Sequence, residues 1–141
     1  MTFTPAAADT IHAFLEDSRT DPSEYDLILT GDLGAVGSKL LIRLLLEKYD
    51  VDIRGVHKDC GNMIFDAKRQ DVHAGGSGCA CSGAVVCSRI LNQLESGILQ
   101  RVLFVGTGAL MSPLVSLQGE SIPSIAHGIE LISAKAGVKN G

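Results

Sequence analysis

The feature that most constrains the fold is a short apolar run with a breaker at each end. Residues 25–30 read Tyr-Asp-Leu-Ile-Leu-Thr, follow a polar segment that contains Pro22, and stop at Gly31. A run of this length suits a parallel strand that is buried on both faces. A segment rich in Leu at helical spacing, residues 38–49, comes next. A buried strand followed by an amphipathic helix predicts a layered α/β sheet.

Two further helices are predicted on either side of this unit. Thr4 precedes Pro5 and can cap a first helix that runs to about Asp17. Residues 79–94 are mostly small or apolar and are followed by Ser96 and Gly97, which is typical of a buried helix closed by a glycine. The glycine-rich residues 75–78 stand directly before this last helix.

The rest of the chain supplies weaker strand signals. Residues 101–105 and 125–133 read as two strands joined by a loop without a helix, so we expect them to pair antiparallel at one side of the sheet. The middle segment is polar and irregular, with faint strand signals at 53–56 and 63–65. The tail from Ala134 is small and polar, and we expect it to be frayed.

Composition limits the classes of function. The chain has 141 residues, 45% of them hydrophobic and 20% charged, which favours one compact domain over 1–141. The net charge is -4 and the chain has no Trp, so nucleic acid is not an expected partner. The chain shows neither a secretory signal nor a continuous apolar stretch of about 20 residues, as a membrane span needs.

The four cysteines are predicted to be free thiols. They cluster in one third of the chain, at Cys60, Cys79, Cys81 and Cys87, whereas a disulfide framework usually spreads its cysteines. A zinc site is an alternative, because His57, Asp59, Asp71 and His73 stand near them. The absence of a Cys-x-x-Cys pair counts against zinc, and no metal ligand is assigned.

Several motifs together resemble one family. They are residues 5–10 (PAAADT), 29–34 (LTGDLG), 59–61 (DCG), 70–79 (QDVHAGGSGC), 107–113 (TGALMSP) and 118–123 (QGESIP). The chain resembles the second half of the stage V sporulation protein AD family. That resemblance implies the C-terminal repeat of a thiolase-like fold related to ketoacyl synthase III. The implied architecture is βαβαββ, a mixed and mostly parallel sheet with helices packed on both faces.

The resemblance also implies that catalysis is lost. The related condensing enzymes carry a His in the stretch that corresponds to 30–34 and an Asn in the stretch that corresponds to 74–78. Here those stretches read Thr-Gly-Asp-Leu-Gly and Ala-Gly-Gly-Ser-Gly. An enzyme that loses an oxyanion donor typically loses about a hundredfold or more in rate. We therefore expect a protein that is not an enzyme and has no cofactor.

Dipicolinate is the ligand that the resemblance implies, with calcium present only as part of a calcium chelate. Backbone N–H groups at the glycine turn before the third helix are expected to face a bound carboxylate. The alternative is that these glycines only permit tight helix packing. The predicted ligand-binding residues are His73, Gly75, Gly76, Ser77, Gly78, Thr107, Gly108 and His127.

The partners and the alternatives also follow from the resemblance. Half of a two-repeat fold should expose an apolar face, to be covered by the missing N-terminal half or by a second copy. The family implies stage V sporulation membrane proteins as partners and a peripheral location at the forespore or spore inner membrane, for dipicolinate uptake. An active acyltransferase that uses Cys79 or Cys81 as nucleophile is the second alternative, because a helix N-terminus lowers a thiol pKa.

Overall fold

The protein folds as a four-stranded sheet that carries helices on both faces. The computed structural model describes residues 3–66, 68–73, 75–78, 80–109, 117 and 124–135. In chain order the elements are α1 (Phe3–Ser18), a 3-10 turn (Pro22–Glu24), β1 (Leu27–Thr30), α2 (Gly34–Tyr49), β2 (His57–Asp59), α3 (Cys60–Met63), α4 (81–96), β3 (Arg101–Ala109) and β4 (Ser124–Ile132).

The sheet has the strand order β2-β1-β3-β4. β1 pairs parallel with both β2 and β3, with Ile28 opposite His57 on one side and Leu103 on the other. β4 pairs antiparallel with β3 and forms one edge of the sheet, as predicted. After α1, the order of elements is βαβαββ with α3 as a short addition, and it is compatible with a thiolase-like half. The predicted α/β class and the mixed, mostly parallel sheet are confirmed.

One face of the sheet packs against α1 and α2. Ile28 of β1 and Leu103 of β3 are fully buried there against Ile11 of α1 and Leu41 of α2. On the solvent-exposed side of α2, Arg43 and Glu47 form an ion pair in which Nε lies 2.7 Å from Oε1. The helix ends at Tyr49 and is capped by Asp50, whose φ of 56° is left-handed.

The other face packs against α4. Leu29 of β1 and Val102 of β3 lie against Val85 and Ile90 of this helix. The helix comprises Cys81–Val85, a π-helical segment at Val86–Ile90, and Leu91–Ser96, and it is closed by Gly97 at φ 81°. The described residues bury one side of α4, through Cys81, Val85, Ile90 and Leu94, so the predicted buried helix is confirmed for that side only.

The boundaries differ from the predicted ones at the starts of three helices. Thr4 does not cap α1, because the helix begins at Phe3 and Thr4 is buried inside it. α2 begins at Gly34 rather than at residue 38, and α4 begins at Cys81 rather than at residue 79.

The weak strand signals at 53–56 and 63–65 are wrong, because the edge strand is His57–Asp59. Of the tail, Ala134 and Lys135 form a turn and the remainder lies outside the described residues. None of the helices in the described part of the chain has the length and apolarity needed to cross a membrane.

Candidate functional site

Polar side chains gather where the three parallel strands end. β1 ends at Thr30 and is followed by Asp32, β2 ends at Asp59, and the far part of β3 carries Thr107. The carboxyl ends of parallel strands meet at one edge of a sheet, which is where α/β proteins usually place ligands. A ligand site is therefore expected at this edge.

Asp59 is the buried centre of the edge. Its carboxylate is 1% exposed and accepts hydrogen bonds from the Thr30 hydroxyl at 2.6 Å and from the Leu33 and Gly34 amides at 2.9 Å each. The two amides belong to the start of α2, where the helix dipole also favours a negative charge. Asp59 thus ties the end of β2 to the loop that follows β1.

His57 extends this network by one group. Its Nε2 lies 3.1 Å from the Thr30 hydroxyl oxygen. Because that hydroxyl donates to Asp59, Nε2 must carry the hydrogen and donate to Thr30. Burial lowers the pKa of His57, and the nearby Asp59 charge opposes that shift. The imidazole is therefore neutral at neutral pH.

Asp32 organises the second half of the edge. Its Oδ1 accepts from the Thr107 hydroxyl at 2.8 Å, and its Oδ2 accepts from the Ser77 hydroxyl at 3.2 Å and the Gly78 amide at 3.3 Å. Three chain segments that are distant in sequence therefore meet on one partly exposed carboxylate. Ser77, Gly78 and Thr107, which were predicted together, are brought together here.

The glycine turn packs tightly against the loop after β2. The Gly76 amide donates to the Gly61 carbonyl at 2.7 Å. A methyl group at Gly75 would lie 2.6 Å from that same carbonyl oxygen, so only glycine fits. The expectation of free N–H groups is therefore wrong at Gly76 and Gly78, whose donors are bound to Gly61 and Asp32. These glycines permit tight packing against the Gly61 carbonyl, as the alternative interpretation expected, and this packing does not exclude a role in ligand binding.

The remaining predicted residues lie apart from Asp32. The His73 side chain is 90% exposed, lies 3.8 Å from Asp71, and borders a cavity of about 220 Å³ that Gly75 also lines. Gly108 and His127 lie on the β3–β4 pair, where His127 is opposite Gly106 and is exposed. Within the described residues, no hydrogen bond joins Gly108 or His127 to Asp32.

The cysteine environments oppose nucleophilic chemistry. Burial raises the pKa of Cys81, and the Asp32 and Asp59 carboxylates raise it further. Burial also raises the pKa of Cys60 to about 12, with Asp59 adding to the shift. A thiol with a raised pKa is a poor nucleophile at neutral pH. For Cys81 the structure reverses the lowered pKa that the acyltransferase alternative required. Cys79 lies outside the described residues.

The zinc alternative finds no support in the described part of the chain. None of its groups of His, Cys, Asp and Glu contains three side chains placed to hold one metal ion. Cys60 and Cys81 are free and buried, and Cys87 is free and exposed. The prediction of free thiols is therefore confirmed for these three residues.

The centre of the site was not predicted from the sequence. Asp59 was a zinc candidate and part of a family motif, and neither Asp32 nor Thr30 was predicted as a site residue. A usable signal was present, because each of these residues stands at or just after the end of a parallel strand. That signal depended on placing β2 correctly, and the segment around Asp59 was predicted to be irregular.

The fold and the edge define an α/β protein whose mixed sheet is compatible with a thiolase-like half and whose carboxyl edge is acidic and packed by glycines. The profile of the stage V sporulation protein AD family matches residues 1–132. A curated relative, stage V sporulation protein AD of Bacillus subtilis (strain 168), is 51% identical over 126 residues. The matched region covers 89% of this chain and 36% of the relative's length. The chain belongs to the stage V sporulation protein AD family.

Proposed function

We propose that this chain is part of a non-catalytic dipicolinate-binding protein that acts in dipicolinate uptake into the forespore. Membership of a sporulation family supports the biological setting. The observation that carries the proposal is the chemistry at the carboxyl edge of the sheet. Gly31 and Asp32 occupy the stretch where the related condensing enzymes carry a His, and Gly76 lies in the stretch where they carry an Asn.

The thiol chemistry supports a function without catalysis. An acyl-transfer reaction needs a thiolate together with a base that activates it. Cys60 and Cys81 both have raised pKa values, and both are buried near carboxylates that disfavour a thiolate. The described part of the edge is therefore suited to holding a ligand rather than to attacking one.

The donors that Asp32 now engages are the ones that a ligand carboxylate would use. The Ser77 and Thr107 hydroxyls and the Gly78 amide converge on one carboxylate of the protein, at 2.8 to 3.3 Å. A dicarboxylate competes with Asp32 for these donors when it binds as the free acid. As a calcium chelate it instead brings a cation for which the Asp32 oxygens are suitable ligands.

An apolar face supports a partner for this half of the fold. Ile125 and Ile129 of β4 are 52% and 50% exposed, and they point away from α1, which contacts the alternate residue Gly128. The chain spans 36% of the relative's length. We propose that a further part of the longer protein, or a second copy, covers this face. The assembly would bind peripherally to the inner membrane beside the stage V membrane proteins.

The test is a calorimetric titration of dipicolinate, with and without calcium. The protein is a chimera in which this chain replaces the matched region of the Bacillus subtilis relative. The variant Ser77→Trp places a bulky side chain at an exposed position beside Asp32. It is preferable to a change at Gly76, where an added side chain collides with Ile64. We expect the variant to bind at least about tenfold more weakly.

Ser23→Trp is the matched control, because Ser23 is also exposed and lies in the 3-10 turn before β1. It should bind as the parent chimera does. Equal affinity in the Ser77→Trp variant would remove the site assignment. Absence of dipicolinate binding to the folded parent chimera would remove the proposed function itself.

A further inference from the structure

A cleft of about 530 Å³ lies beside the edge strand β2, next to His57 and Asp59 of the carboxyl edge. Its walls come from α2, β2, α3 and the π-helical segment of α4, which contribute Ser38, Lys58, Asn62 and Arg89. Small-molecule sites commonly have volumes of about 300–1,000 Å³. The cleft is therefore large enough for a small ligand. The Asp32 network contributes no residue to its lining.

Two cations face this cleft without a carboxylate partner. Neither Lys58 nor Arg89 forms an ion pair with any other described residue. Arg101, by comparison, is held by both Glu24 and Glu130. Two positive charges that line one concavity from different elements, β2 and the π-helical segment of α4, create a potential that attracts anions.

The acidic group in the lining does not cancel these charges. Asp59 borders the cleft, but its carboxylate is buried and already accepts three hydrogen bonds, from the Thr30 hydroxyl and from the amides of Leu33 and Gly34. Its charge is stabilised by these donors and by the start of α2. The lining therefore keeps an excess of positive charge.

Neutral donors complete the lining. The Ser38 side chain is 8% exposed, and its hydroxyl oxygen accepts from Asn62 Nδ2 at 3.2 Å. Among the described residues, no acceptor takes the proton of this hydroxyl. A buried donor without an acceptor is costly unless a ligand or water supplies one. Ser38 thus offers an O–H group to whatever occupies the cleft.

We propose that this cleft binds an oxyanion, namely a carboxylate or phosphate group carried by a free small molecule or by a lipid headgroup. Arg89 offers a planar fork that suits two oxygens of one group, and Lys58 offers a compact charge in the same lining. Ser38 and Asn62 fix the orientation of the bound group. The site is distinct from the Asp32 donors of the proposed function and does not depend on them.

The experiment compares one double variant with a matched control in this chain. Lys58→Gln/Arg89→Gln removes both cleft charges, and Arg19→Gln/Lys135→Gln removes two exposed charges that do not line the cleft. Each protein is titrated at low salt, by amide NMR shifts, with inorganic phosphate and with dipicolinate. Each is also sedimented with vesicles that contain phosphatidylglycerol. Thermal unfolding checks that all variants remain folded.

We expect at least one probe to bind the parent and the control equally, and to bind the cleft variant at least about tenfold more weakly. Loss of binding to a soluble probe identifies a free small molecule as the source of the anion. Loss confined to the vesicles identifies a lipid headgroup. The proposal is overturned if no probe binds the parent, or if the cleft variant binds every probe as the control does.

Discussion

Asp59 is the residue on which the carboxyl edge of the sheet depends most. Its substitution by Ala would leave the Thr30 hydroxyl and two helix-start amides without an acceptor in a buried position. Unpaired buried donors cost about 1–3 kcal/mol each before any relaxation. We expect Asp59→Ala to lower the free energy of unfolding by about 2–4 kcal/mol, measured by urea denaturation.

Asp52→Ala provides the control for this prediction. Asp52 binds Arg54 on the surface, and that hydrogen-bonded ion pair lowers the pKa of Asp52 to about 2. Exposed pairs of this kind contribute little to stability. If Asp59→Ala lowered the free energy of unfolding no more than Asp52→Ala does, Asp59 would not support the carboxyl edge.

His57 predicts how stability depends on pH. Burial lowers its pKa in the folded state below the ordinary value of about 6.5. As pH falls through about 6.5, the unfolded chain takes up a proton that the folded protein does not, so stability declines with acid. Between pH 7.5 and 5.5, we expect the free energy of unfolding to fall less in His57→Gln than in the parent, as measured by urea titrations. An unchanged decline would argue against a buried neutral imidazole.

The thiols predict a pattern of chemical reactivity. Cys60 and Cys81 are buried with raised pKa values, whereas Cys87 is exposed. Native protein treated with iodoacetamide at pH 7 should carry the label on Cys87 before Cys60 or Cys81, as read by peptide mass spectrometry. Fast and selective labelling of Cys81 would instead revive the acyltransferase alternative. In urea, all of these thiols should react.

At the scale of the element, alanine substitution at two glycines of α4 is expected to change stability in opposite directions. Gly97 closes the helix at φ 81°, a conformation that disfavours any side chain. Gly83 lies inside the helix, and an added methyl group there meets nothing within 4 Å. We expect Gly97→Ala to destabilise the chain by about 1 kcal/mol and Gly83→Ala to stabilise it by about 0.5–1 kcal/mol.

Thermal and urea unfolding of the two alanine variants would check this prediction, and each serves as the control for the other. If both substitutions changed stability in the same direction, the helix would not end where the structure ends it. The test also bears on the sequence, because the helix end at Gly97 was predicted correctly from the glycine alone.

At the scale of the whole molecule, the uncovered face of β4 predicts association. Ile125 and Ile129 are half exposed on an edge strand, an arrangement that favours pairing with another chain. We expect the isolated chain to elute above its monomer mass in size-exclusion chromatography. Ile125→Lys/Ile129→Lys should shift it toward the monomer, because two charges would be buried by association.

Val36→Lys is the control for association, since Val36 is 52% exposed on α2. It should leave the elution volume unchanged. A strictly monomeric and soluble parent chain would contradict the idea that this face needs a partner. An equal effect of the control would point to non-specific aggregation rather than to the β4 face.

The sequence by itself determined the elements whose patterns are local. The apolar run before Gly31, the Leu-rich helix and the glycine after α4 are signals carried by neighbouring residues, and the structure confirms them. The antiparallel pairing of the last two strands followed from the absence of a helix between them. The family followed from motifs spread along most of the chain, which the profile over 1–132 confirms.

Tertiary structure alone decided how the polar groups are paired. β2 is three residues long, and its pairing with β1 rather than its own composition makes it a strand and carries Asp59 to Thr30. The Gly76 amide was expected to be free, but close packing against the Gly61 carbonyl uses it. Hydrogen bonds between residues 25 to 75 positions apart depend on the packing of separate elements, and no local pattern in the sequence encodes them.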